Sequence, residues 1–199
     1  MSYRIEEKIP ISFSEGSQLI ERLKSRGLTN LFPTRKIISN YFDTQHYDLF
    51  RDSEEGLLPR KKIRVRSYPE SNNNQFLLEK KISSLEGRYK TSSVLEKSSV
   101  EYIHDHGCLD NDYGILLPVV KISYMREYYS YEGIRLTMDT NISYQDLHSA
   151  SNTFSEAIGV IELKAHENTS LDFLIALVEE RRRRFSKYCN AIRNLNLSS

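Results

Sequence analysis

Short runs in which aliphatic and polar residues alternate dominate this chain. Residues 3–10, 36–43, 60–68, 75–83, 88–93, 118–129, 132–140 and 158–165 each carry the period-two pattern of a half-buried β-strand. Other stretches carry a helical period. Ser14 predicts the start of a helix bearing Leu19, Ile20 and Leu23, stopped at Gly27. Residues 94–106 form a second helical candidate. Ser170 predicts the start of a third, with Leu171, Leu174, Leu177 and Val178 on one stripe, and a last helical piece runs to about Asn194. Pro69 and Asn72-Asn73-Asn74 mark a hairpin turn between Ser67 and Asn74, and a second loop surrounds Gly107 to Gly114. Mostly antiparallel strands with a few helices predict an α+β fold, and 199 residues suffice for a single domain over 1–199.

The polar half of the alternation is strongly charged. Side chains at i and i+2 share one face of a strand. Glu6 and Lys8 therefore lie together, with Ile5 and Ile9 opposite. Lys62, Arg64 and Arg66 share a face against Ile63 and Val65, and Glu79 and Lys81 share one against Leu78 and Ile82. Arg135, Thr137 and Asp139 alternate with Leu136 and Met138, and Glu162 and Lys164 with Ile161 and Leu163. A solvated face of an antiparallel sheet shows the same alternation. Two features argue for more. The helices need an apolar surface and so cover the aliphatic face, leaving the charged face to line a groove or lumen. That face is also lopsided: Lys8, Lys62, Arg64, Arg66, Lys81, Arg126, Arg135 and Lys164 stand against Glu6, Glu79, Asp139 and Glu162. Enclosed charge of this kind needs a complement. An elongated polyanion, with a cation held by the carboxylates, is the simplest one.

Bulk properties exclude several other classes. A formal net charge of +1 gives no electrostatic case for nucleic acid or membrane binding. Cys108 and Cys189 have neither zinc spacing nor a disulfide framework. The first residues lack the apolar stretch of a signal peptide, and the longest apolar run, Ile115 to Val120, is broken by Pro118, far short of the ~20 residues of a membrane helix. A cytoplasmic protein without direct membrane insertion is expected; oligomeric state is not encoded in any feature of the sequence. His104-Asp105-His106 has no third metal partner nearby and reads as a solvated helix end. Arg181 to Arg184 reads as cations favoured at a helix C-terminus. The thirteen tyrosines read as core packing, and Ser186 as a helix cap.

Taken in order, these segments resemble the VTC-type polyphosphate polymerase domain of the triphosphate tunnel metalloenzyme (CYTH-like) superfamily. Tyr3-Arg4-Ile5-Glu6-Glu7-Lys8 resembles the family's opening strand, and Ile38-Ser39-Asn40-Tyr41-Phe42-Asp43-Thr44 followed by Tyr47 its second block. Arg60-Lys61-Lys62-Ile63-Arg64-Val65-Arg66-Ser67-Tyr68 is the most distinctive match. Leu78-Glu79-Lys80-Lys81, Tyr124-Met125-Arg126, Arg135-Leu136-Thr137-Met138-Asp139-Thr140, Ile161-Glu162-Leu163-Lys164 and Phe185-Ser186-Lys187-Tyr188 follow in order. The wider superfamily often opens with Glu-x-Glu-x-Lys; Arg4 at the first acidic position is similar to the VTC branch.

The resemblance implies an eight-stranded antiparallel β tunnel or barrel with helices packed on the outside. It implies metal-dependent phosphoryl transfer, foremost ATP-dependent polyphosphate synthesis, with hydrolysis of triphosphates or non-catalytic binding of polyphosphate or nucleotide as alternatives. Arg64, Arg66, Lys81 and Lys8 are the expected catalytic residues. Lys62, Arg126, Arg135, Lys164 and Lys187, with either Lys90 or Arg88, extend the phosphate contacts. Glu162 is the first expected ligand of Mg²⁺ or Mn²⁺, with Glu6 and Asp139 as helpers. ATP and polyphosphate are the implied partners, and any membrane tether would be a separate protein.

Overall fold

The fold was obtained as a computed structural model, which describes residues 4–70, 75–178 and 185–198. The strands are β1 (Arg4–Ser12), β2 (Thr29–Asp43), β3 (Arg60–Ser67), β4 (Phe76–Ser84), β5 (Gly87–Leu95), β6 (Cys108–Asp110), β7 (Gly114–Tyr131), β8 (Ile134–Asp146), β9 (Thr153–Ser155) and β10 (Ile158–His166). The helices are α1 (Phe13–Lys24), α2 (Asp48–Glu55), α3 (Lys97–His106), α4 (Leu171–Val178) and α5 (Lys187–Asn194). The α+β expectation holds. The expected count of eight strands does not: among the described residues the sheet has ten, in the order β1-β10-β8-β7-β2-β3-β4-β5, with β6 on β7 and β9 on β8. Among the described residues that order is an open path rather than a closed barrel. The triple asparagine and Arg181 to Arg184 lie outside the described residues. Among those described, no helix is long and apolar enough to cross a membrane.

The chain forms two compact units. The first comprises residues 1–35, 124–142 and 155–185, and the second 36–123, 143–154 and 186–199. In the first unit β10 pairs antiparallel with both β1 and β8. The aliphatic half of the alternation (Ile9, Ile11, Leu136, Met138, Ile161, Leu163) packs against Leu19, Ile20 and Leu23 of α1 and Leu174 and Leu177 of α4. Ser12, not Ser14, starts α1: Ser12 and Glu15 form a reciprocal capping box that satisfies free N–H groups of the first turn. Gly16 lets α1 sit close to the sheet, since a Cβ there would collide with Met138.

In the second unit β3 and β4 pair antiparallel, as do β4 and β5. Ile63, Val65 and Phe42 pack with Leu49 of α2, and Val100 and Ile103 of α3 close over them. Helix on the aliphatic side is thus realised in each unit. Helix α5 departs from that rule. Its residues Tyr188, Cys189, Ala191 and Ile192 are buried, and Tyr188 stacks on Tyr41, which β2 places on the same side as Arg64. The expectation that every helix packs on the outer, aliphatic side is corrected here: α5 lies on the ionic side of its unit, with Tyr188 on Tyr41 and Cys189 Sγ 3.8 Å from Lys62 Nζ.

Candidate functional site: two charged faces

In the first unit, strand register turns the alternation into rows. Glu6 stands opposite Lys164 and Lys8 opposite Glu162, so acid meets base in both rows. On the far side of β10, Glu162 faces Thr137 and Lys164 faces Arg135. Lys164 Nζ lies 2.9 Å from Glu162 Oε1 and 3.6 Å from Glu6 Oε2, while Lys8 Nζ lies 3.4 Å from Glu6 Oε1. Arg126 grips Asp139 with two parallel hydrogen bonds, Nε to Oδ1 at 2.5 Å and Nη2 to Oδ2 at 2.6 Å, and stands 3.9 Å from Glu162. Its guanidinium also lies over the Tyr124 ring. Burial resists the charge on Glu162, but Lys8, Arg126 and Lys164 outweigh it and hold the carboxyl well below the usual range. Thr137 Oγ1 and Arg135 Nε are buried without a hydrogen-bond partner.

In the second unit one carboxylate serves several cations. Glu79 is 1% exposed and stands opposite Arg64. Arg64 Nε donates to Glu79 at 2.7 Å, Arg66 lies 3.6 Å away, and Lys90 forms a third ion pair with the other carboxylate oxygen. Burial again opposes ionisation, yet Arg64, Arg66 and Lys90 lower the Glu79 pKa to about 2. Beside this hub Lys62 stands opposite Lys81, and Lys81 opposite Lys90, so three lysines form one row across three strands. Lys62 Nζ donates to Ser186 Oγ at 2.7 Å, and Ser186 Oγ accepts from the Cys189 amide as the cap of α5. Lys187 is the first residue of that helix. Ser39 Oγ, opposite-register neighbour of Arg66, is buried without a hydrogen-bond partner.

The structure therefore brings Glu6, Lys8, Arg126, Asp139, Glu162 and Lys164 into one network, with Arg135 in the adjoining row. It brings Lys62, Arg64, Arg66, Lys81 and Lys90 into another. Between the two candidates in β5, Lys90 joins a network, and Arg88 stands opposite Ser83. Glu79 as a hub, Tyr41 beside Arg64 and the Asp43–Tyr188 hydrogen bond were not assigned from the sequence. Alternation puts Glu79 on the charged face, but only register shows which cations it meets. His106, by contrast, stacks on Tyr102 and bonds its carbonyl, as a structural helix end does.

A family model described as the VTC domain matches residues 3–196, nearly the whole chain. The chain belongs to the VTC domain family. Solved structures similar to this VTC domain include an adenylate cyclase candidate from Bacillus halodurans (16% identity, 96% of each chain covered, TM-score 0.64). Another is the PH1012 protein of Pyrococcus horikoshii OT3, with 11% identity over 94% of this chain and 99% of that one, TM-score 0.60. A third is an adenylate cyclase candidate from Vibrio parahaemolyticus, with 11% identity over 93% and 95% of the two chains, TM-score 0.55. At these identities the likeness is one of fold. No curated protein sequence matches the chain.

Whether the VTC domain's carboxylates fit a metal can be asked of the donor set. Among the described residues no group of three or more His, Cys, Asp or Glu side chains could hold an ion by itself. Both oxygens of Asp139 are taken by Arg126. Glu162 and Glu6 share Lys164, and the unpartnered Thr137 hydroxyl stands opposite Glu162. Hard Mg²⁺ or Mn²⁺ takes one or two carboxylates and completes its shell with phosphate oxygens and water. That modest set fits.

Proposed function

We propose that this VTC domain carries out metal-dependent phosphoryl transfer on a triphosphate or polyphosphate, with ATP-dependent polyphosphate synthesis as its reaction. The row of Lys62, Lys81 and Lys90 carries the reading. Like charges directly opposite on neighbouring strands are destabilising, and a chain of phosphates is the anion that would turn this row into a gain. Arg64 and Arg66 stand beside it, and a planar guanidinium grips phosphate oxygens bidentately as lysine does not.

Phosphoryl transfer asks mainly for positioning and charge neutralisation. Lys62, Lys81, Lys90 and Lys187 would supply point charges in one unit, and Lys8, Arg126, Arg135 and Lys164 in the other. Glu162, helped by Glu6 and Thr137, would hold Mg²⁺ or Mn²⁺, which when bound offsets charge on the transferred group. Synthesis is favoured over hydrolysis by the acidity of the carboxylates. Water must be activated by a base matched to neutral pH, whereas Glu79 at a pKa of about 2 and Glu162 well below the usual range are poor bases. A terminal phosphate is already an anion, so its difficulty is repulsion, which cations relieve.

Incubation with ATP and Mn²⁺ tests this: a ladder of polymer on a gel is expected. Free phosphate without polymer would make the protein a triphosphate hydrolase, and nucleotide binding without either product a non-catalytic module. The same reading keeps the reaction in the cytoplasm, with any membrane attachment left to a separate partner; cell fractionation checks it.

A further inference from the structure

Tyr41 lies within the second unit's ionic face but carries no charge of its own. β2 places it directly opposite Arg64. Its ring stacks on Tyr188 with centroids 5.1 Å apart and planes 13° from parallel. Tyr188 donates its hydroxyl to Asp43, which also accepts the amide of Thr44 and, at the start of α2, those of Leu49 and Phe50. Two buried rings and a saturated carboxylate thus fix where the Tyr41 hydroxyl sits.

Arg64 Nη1 donates to the Tyr41 oxygen at 2.6 Å. A guanidinium has donors only, so the phenol oxygen accepts here and its own proton is left to give elsewhere. Among the described residues that is the hydrogen bond the Tyr41 hydroxyl makes. Two further charged groups that act strongly on it, Arg66 from β3 and Lys81 from β4, are cations and cannot accept a proton either. We propose that Tyr41 is a phosphate-binding residue, its hydroxyl donating to an oxygen of the phosphate chain that Arg64 grips. The inference rests on the phosphate reading above.

The electrostatics give this contact a pH signature. Burial would raise the phenol's pKa, but Arg64, Arg66 and Lys81 outweigh it and lower it to about 8. Tyr188, facing it from α5, is pushed well above the usual tyrosine value by burial and by Asp43, and stays neutral over the same range. Loss of the Tyr41 proton removes a donor and sets a negative oxygen before the phosphates, so affinity falls on the alkaline side.

Calorimetric titration of the full chain with tripolyphosphate, at about pH 7 and about pH 9, tests this. Wild-type affinity is expected to fall between the two. Tyr41→Phe is expected to bind about tenfold more weakly at the lower pH, as for loss of a hydrogen bond to a charged group, and to show no alkaline fall. Tyr188→Phe keeps the stack and the Tyr41 hydroxyl, and is expected to keep the fall. Equal affinity of Tyr41→Phe and wild type, or an alkaline fall retained in Tyr41→Phe, overturns the role of Tyr41 while leaving the phosphate reading intact. A wild type that binds no tripolyphosphate at either pH overturns the phosphate reading and this one with it.

Discussion

The two units answer the same problem, a crowded ionic sheet face, in different ways. In the first, three carboxylates (Glu6, Asp139, Glu162) alternate with four cations (Lys8, Arg126, Arg135, Lys164), and register sets acid against base. In the second, Glu79 pairs with Arg64, Arg66 and Lys90, while Lys62 and Lys81 extend the cationic row. The first face is close to neutral by itself and retains carboxylates for a cation. In the second, the rows hold more cations than carboxylates, the feature that the proposed phosphate reading uses. Charge pattern, not charge total, distinguishes the two faces.

The largest effect is expected where the balance is thinnest. Glu79→Ala removes the carboxylate shared by the largely buried Arg64 and Arg66 and should cost about 3–5 kcal/mol in denaturant unfolding. Glu162→Ala should cost clearly less, because Lys8 and Lys164 keep 32% and 23% of their side chains exposed and can turn to water. Equal costs would break the contrast between the faces. Next, Arg64→Ala should lower polymer formation on the order of 10²–10³-fold, the usual loss for one positioned donor, with a cooperative melt retained through the remaining Arg66 and Lys90 pairs. Wild-type turnover in that variant would count against the second face as the phosphate site.

Acid sharpens the contrast further. Glu79 has a folded pKa of about 2 against 4.5 for the unconstrained group, so its stabilisation is complete above about 4.5 and vanishes as pH falls through about 2. Urea unfolding across that window should show the loss in wild type and a flatter profile in Glu79→Gln. The smallest effect belongs to Ser186→Ala, which removes the cap of α5 and an acceptor for Lys62. About 1 kcal/mol is expected in thermal unfolding.

Much of this was legible in the chain. Parity along β3 and β4 put Lys62, Arg64, Arg66, Glu79 and Lys81 on one side, and the structure keeps them there. Other features were hidden. The first half of β2, through Leu31, Phe32 and Pro33, does not alternate, and proline argues against a strand interior. Helix α2 has no side-chain cap at Tyr47; Asp43, several residues earlier, accepts its first amides instead. Ser12 outcompetes Ser14 because Glu15 completes a capping box only with Ser12.

Sequence by itself determined which side chains share a face, because the two-residue period of a strand is local backbone geometry. It also determined the excess of bases over acids on those faces. Tertiary structure alone decided which strand lies beside which and in what register, and so made Glu79 a hub, aligned three lysines and brought Tyr188 onto Tyr41. Those pairings join residues far apart in the chain. They are set by how the aliphatic faces pack, a property of the whole fold that no local window contains.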